Sequence, residues 1–94
     1  MTPKDKQFGY KETRKVVELL GFEYILTHGS HVQMKNKKTG SKTTLPFYKR
    51  PYGQRLIEDI AWQLDISKTK LVKLATDKKA FKEEKKKLQK QLNP

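Results

Sequence analysis

Phe22-Glu23-Tyr24-Ile25-Leu26-Thr27-His28, then Gly29-Ser30, then His31-Val32-Gln33-Met34-Lys35 reads as two β-strands joined by a turn. The first run is rich in aromatic and β-branched side chains, which suit a pleated surface. Gly29-Ser30 supplies turn residues, and the second run alternates polar with apolar. Side chains along a strand repeat every two residues, so Val32 and Met34 share one face, and His31, Gln33 and Lys35 share the other. Asn36-Lys37-Lys38-Thr39-Gly40 makes a second turn. Ser41-Lys42-Thr43-Thr44-Leu45 makes a third strand, stopped at Pro46.

Helical patterns flank this block. Val16, Val17, Leu19 and Leu20 form an apolar stripe over Tyr10 to Leu20, and Gly21 suits the left-handed position after a helix. No clean N-cap residue precedes Tyr10. A second helix spans Gln54 to Leu64 and buries Leu56, Ile57, Ile60, Ala61 and Leu64. Ser67 caps a third that carries Leu71, Val72 and Leu74. The expected class is α+β, ordered α-β-β-β-α, with a three-stranded antiparallel sheet covered by helices on one face and a C-terminal helix and tail. Residues 1–76 form one expected domain, and 77–94 a charged, helical extension. Phe81, Leu88 and Leu92 fall near one face of that extension, in line with Leu74, and Glu83 and Lys87 are an i,i+4 pair. That row suits a docking or self-association helix, but Lys78 and Lys85 interrupt the seam, so a solvated, fraying basic helix is expected.

Composition narrows the partners. Twenty-two Lys and Arg against ten acidic residues give a formal net charge of +12 over 94 residues. Such an excess suits a polyanion, because cationic side chains displace the counterions condensed on phosphates. The basic residues are spread along the chain rather than gathered on one amphipathic helix, which argues against a membrane surface. The polar start, Met1-Thr2-Pro3-Lys4-Asp5-Lys6, has no apolar leader run, and no apolar stretch is long enough to span a bilayer. A cytoplasmic protein is expected. Cysteine is absent, so disulfides and thiolate metal sites are excluded. Scattered carboxylates and two histidines separated only by Gly-Ser suggest no metal site, and no glycine-rich phosphate loop or small-molecule cofactor motif is present.

If Val32 and Met34 face the helices, His31 lies on the uncovered face at the start of its strand. Gly29 there permits close backbone approach, and the amide and hydroxyl of Ser30 can hold a phosphate oxygen. On residues alone, His31 is either a solvated surface histidine or a proton-transfer group. His28 shares its parity with Phe22, Tyr24 and Leu26, which predicts packing or hydrogen bonding instead. The loop Phe47-Tyr48-Lys49-Arg50-Pro51-Tyr52-Gly53 offers cations beside Tyr48 and Tyr52 for phosphate pairing with base stacking. Its alternative is Phe47 plugging the core with Lys49 and Arg50 solvated. Arg55 is a candidate phosphate contact, and Trp62 a core or partner-interface residue.

Leu19-Leu20-Gly21-Phe22, Thr27-His28-Gly29-Ser30-His31-Val32, Thr43-Thr44-Leu45-Pro46 and Gln63-Leu64-Asp65-Ile66-Ser67 together resemble the HicA toxin family over about Lys11 to Thr76. The resemblance implies a double-stranded-RNA-binding-like fold, an mRNA interferase of a type II toxin–antitoxin pair, and an acidic HicB-like antitoxin as partner. It also implies that His31, in Gly-Ser-His, is the catalytic histidine. The chain departs from the family at Val32 and Tyr48, where many relatives carry further histidines, and at Arg55-Leu56, which replaces a Gly-Thr. With one histidine and no metal, the simplest chemistry is attack by the RNA 2′-hydroxyl, with His31 as general acid or base. Lys35, Lys49 or Arg50 would stabilise the phosphorane. A non-catalytic double-stranded-RNA-binding protein and a protein-docking module are the alternatives.

Overall fold

The computed structural model describes residues 7–92, without the side chains of Gln91 and Leu92. Met1 to Lys6, and the expected Leu92 contact on the tail seam, lie outside the described residues. Helix α1 (Tyr10–Leu19) leads into β1 (Phe22–His28), β2 (His31–Asn36) and β3 (Lys42–Pro46); α2 (Gln54–Leu64), α3 (Lys68–Thr76) and α4 (Lys78–Leu92) follow. The strands form one antiparallel sheet in the order β1-β2-β3. The expected α+β order is therefore the observed one.

Local chemistry sets the boundaries. The missing N-cap side chain of α1 is replaced from within the helix, where Glu12 Oε1 accepts from the Gly9 amide at 3.1 Å. Gly21, at φ +96°, takes the left-handed turn out of α1. Ser67 Oγ accepts from the Lys70 amide at 3.0 Å and caps α3 as expected.

Val32 and Met34 of β2 pair with Leu45 and Thr43 of β3, and all four are buried under the helices. Val16 and Val17 of α1, Ile57, Ile60, Ala61 and Leu64 of α2, and Leu71 and Leu74 of α3 complete the core. Thr43 donates to Gln63 Oε1, tying the sheet to α2. Among the described residues no helix covers the opposite sheet face, where His31, Gln33 and Lys35 of β2 lie beside Pro46, Thr44 and Lys42 of β3.

Helix α4 differs from the solvated helix expected. Ala80 and Phe81 pack against the core, and Lys70 of α3 pairs with the half-buried Glu84 at 3.5 Å. Lys78 and Lys85 do not prevent docking, because contact needs only the first turns. Trp62 is 82% exposed, so its expected core role is excluded.

Candidate nucleic-acid interface

Strand parity correctly places His31 on the open face, but the same rule fails for His28. Phe22 and Tyr24 of β1 pair with Asn36 and Met34, on the helix-covered side. The register then shifts, and Ile25 has no partner in the ladder. Beyond this bulge Leu26 lies opposite Gln33, Thr27 opposite Val32, and His28 opposite His31. One extra residue exchanges the faces of all that follow. His28 is therefore exposed beside His31 on the open face, not packed with Phe22.

The turn enforces this pairing. Gly29 has φ +62°, while Ser30 lacks a positive φ, as in a two-residue type II′ hairpin whose flanking residues face each other. A Cβ on Gly29 would meet nothing within 4 Å, so the turn conformation, not crowding within the protein, explains the glycine. The Ser30 carbonyl accepts from the Phe47 amide at 2.6 Å and holds the end of β3 against the turn. Its hydroxyl makes no hydrogen bond among the described residues.

The open face has three cross-strand rows. His28, His31 and Pro46 form the row at the turn; Leu26, Gln33 and Thr44 the middle row; Glu23, Lys35 and Lys42 the far row. Lys35 lies four residues from His31, about 13 Å along the strand. Both reach one phosphate only where the two side chains lean towards each other along the strand. Lys35 and Lys42 can hold a phosphate further along a bound strand. Lys42 was missed in the sequence, although alternation along β3 puts it on the parity of Pro46. Lys35, Lys42 and Lys49 form no salt bridge among the described residues.

The loop after β3 returns at the histidine end, with its expected aromatic roles exchanged. Tyr52 is 4% exposed and fills the core, whereas Phe47 is 60% exposed. The Tyr52 hydroxyl donates to the Pro46 carbonyl at 2.6 Å, and its amide to the Phe8 carbonyl at 2.9 Å. Burial pushes the Tyr52 phenol well above its ordinary value, with Tyr48 and Tyr10 adding to the shift. Tyr52 is thus a pin, not a stacking platform. Phe47 meets Tyr10 edge-on at 4.8 Å and keeps most of its ring in solvent. The Arg50 guanidinium lies over the Tyr48 ring at 5.0 Å, which leaves Tyr48 half-buried. Lys49 is exposed. Lys49 lies three residues and Arg50 four residues beyond Pro46 of the histidine row.

Arg55 stands apart from the open face. It lies in the first turn of α2, in the helix layer, and pairs with Asp59 at 3.4 Å. Among the described residues no group of three or more His, Cys, Asp or Glu is placed to hold a metal ion. No helix among them is long and apolar enough to cross a membrane. The chain matches no protein-family model, no curated protein and no solved structure.

Proposed function

We propose that this protein binds RNA across its uncovered sheet face and cleaves it at His31, as a cytoplasmic mRNA interferase toxin held in check by an acidic antitoxin protein. The observation that carries this reading is the position of His31. It is solvent-exposed on a sheet face that no described helix covers, in a chain of formal net charge +12. Histidine is the side chain whose ordinary titration range spans neutral pH, so it can exchange a proton with an RNA hydroxyl there.

Bound RNA would place a ribose 2′-hydroxyl at His31, with Lys49 or Arg50 near the reacting phosphate and Lys35 with Lys42 on a phosphate further along. Gly29 and the Ser30 hydroxyl form the exposed edge of this site, and Arg55 would meet RNA only where it wraps towards α2. The resemblance in Gly29-Ser30-His31 supports the interferase reading, and the fold order agrees with the fold it implies. An acidic partner would inhibit by covering the open face and the Phe47 to Gly53 loop, with complementary charge speeding association.

The test is cleavage of one labelled RNA by the parent and by His31→Ala, in chelator without divalent metal. Loss of cleavage by about 10²–10⁴-fold, with unchanged melting and RNA affinity, is expected. Equal cleavage by both removes His31 from the chemistry. Binding without cleavage by the parent would make the protein a non-catalytic RNA-binding module.

A further inference from the structure

We infer that His28 is the second proton-transfer group of the site, so that His28 and His31 act as an acid–base pair on one phosphodiester; this rests on the cleavage reading above. The Ile25 bulge and the Gly29-Ser30 turn bring the only two histidines of the chain to adjacent positions on one solvent-exposed face. Directly opposed residues on antiparallel strands have Cβ atoms about 5 Å apart. Two imidazoles rising from such a pair can flank a phosphate, each within about 3 Å of one reacting oxygen. Neither ring is held by a hydrogen bond or ion pair among the described residues, so both can turn towards substrate.

Transesterification needs two proton transfers, at opposite ends of one displacement. The O2′–P bond forms as the 2′-hydroxyl loses its proton to the unprotonated imidazole. The P–O5′ bond breaks as O5′ takes a proton from the protonated one. The products are a 2′,3′-cyclic phosphate and a 5′-hydroxyl. The two rings finish with their protonation states exchanged, and solvent restores them. No water, metal or redox partner enters the balance. The reactive form carries one proton on the pair, so the rate is bell-shaped in pH. Other charged groups that share the face or its rim are Lys35 of β2, Lys42 of β3, Glu23 of β1 with its partner Lys37, and Lys49 and Arg50 of the loop. Single-histidine variants separate the contribution of these groups from that of the pair.

The test compares the parent, His28→Ala, His28→Lys and His31→Ala in chelator, on RNA and on a uridine 3′-phosphodiester whose leaving group is p-nitrophenolate. His28→Ala is expected to cut RNA about 10²–10⁴-fold more slowly than the parent and to lose one limb of the bell. His28→Lys should be as slow as His28→Ala, because charge alone does not move a proton near neutrality. One of the two alanine variants, the one lacking the acid, should recover most of its rate on the p-nitrophenolate ester, which needs no proton to leave. If His28→Ala keeps the parent's rate and pH profile while His31→Ala is inactive, the pair is overturned and single-histidine cleavage stands. Full rescue by His28→Lys also overturns it, reducing His28 to a positive charge. Parent activity that disappears in chelator, or is absent altogether, overturns the pair and the cleavage reading together.

Discussion

Replacing Lys35 and Lys42 together by alanine tests whether RNA lies along the open face or is held by diffuse charge. Apart from Lys37, which pairs with Glu23, the face and its adjoining loop present four cations to a bound strand among the described residues: Lys35, Lys42, Lys49 and Arg50. Each phosphate contact with a single strand contributes about −0.7 to the slope of log affinity against log salt, so four give about −2.8. Affinity should then fall about 50-fold between about 50 and 200 mM salt. Removing Lys35 and Lys42 should halve the slope to about −1.4, and that pair alone should weaken binding least at high salt. Both side chains are on the solvent side, so the fold should change by less than about 0.5 kcal/mol. The assay is fluorescence anisotropy of a short labelled RNA in a His31→Ala background, which removes the proposed cleavage during titration. Lys85→Ala with Lys86→Ala, on the exposed part of α4, serves as the control. If the control lowers the slope as much as the open-face pair, the charge acts as a cloud and the sheet is not the track.

Three further outcomes follow from the packing. Tyr52→Phe removes the hydroxyl bonded to the Pro46 carbonyl and should cost about 0.5–1.5 kcal/mol at neutral pH. Because burial raises the folded phenol above its unfolded value near 10, Tyr52 stabilises fully below about pH 10 and loses that contribution as pH rises, by up to about 1.4 kcal/mol per unit; alkaline denaturation of Tyr52→Phe should be shallower, and parallel curves would refute the buried-phenol account. Met34→Ala empties a fully buried position at the centre of the sheet and should lower stability by about 2–5 kcal/mol in urea titrations. Phe81→Ala should increase amide exchange along α4 while leaving β2 protected, and unchanged exchange would show that Phe81 does not anchor the helix.

Much of this architecture was legible because single residues carry strong local constraints. The second helix, Gln54 to Leu64, and the first strand, Phe22 to His28, fall where periodicity and β-propensity place them. Alternation in β2 sufficed for His31, since Val32 and Met34 leave no choice of face. The errors arose where tertiary context acts. Counting in twos from Phe22 puts His28 on the core side, whereas a two-residue turn at Gly29-Ser30 puts it opposite His31. The two statements are compatible only if β1 holds one extra residue, so the bulge was deducible although its position at Ile25 was not. Exchange of Phe47 and Tyr52 had no such signal. Both are aromatic, and which one enters the core depends on how the loop meets Phe8 and Gly9, where a Cβ would come within 3.2 Å of the Arg50 carbonyl. Phosphate contacts, cleavage and an acidic partner leave no comparable mark on backbone geometry.

The irregularity at Ile25 also bears on how the outer edge of the sheet meets another chain. β1 is an outer strand, and Tyr24, Ile25 and Leu26 are all exposed along it. A straight outer strand of that composition is a template on which another chain can add its own backbone, the first step towards polymerisation. An inserted residue breaks the even spacing of outward amides and carbonyls and increases the local twist, so an incoming strand cannot stay in step. Deleting Ile25 would leave Tyr24 against Met34 and Leu26 against Gln33, with both histidines where they are, yet straighten the outer edge. The hairpin would gain regularity and offer an incoming strand an even edge to pair with.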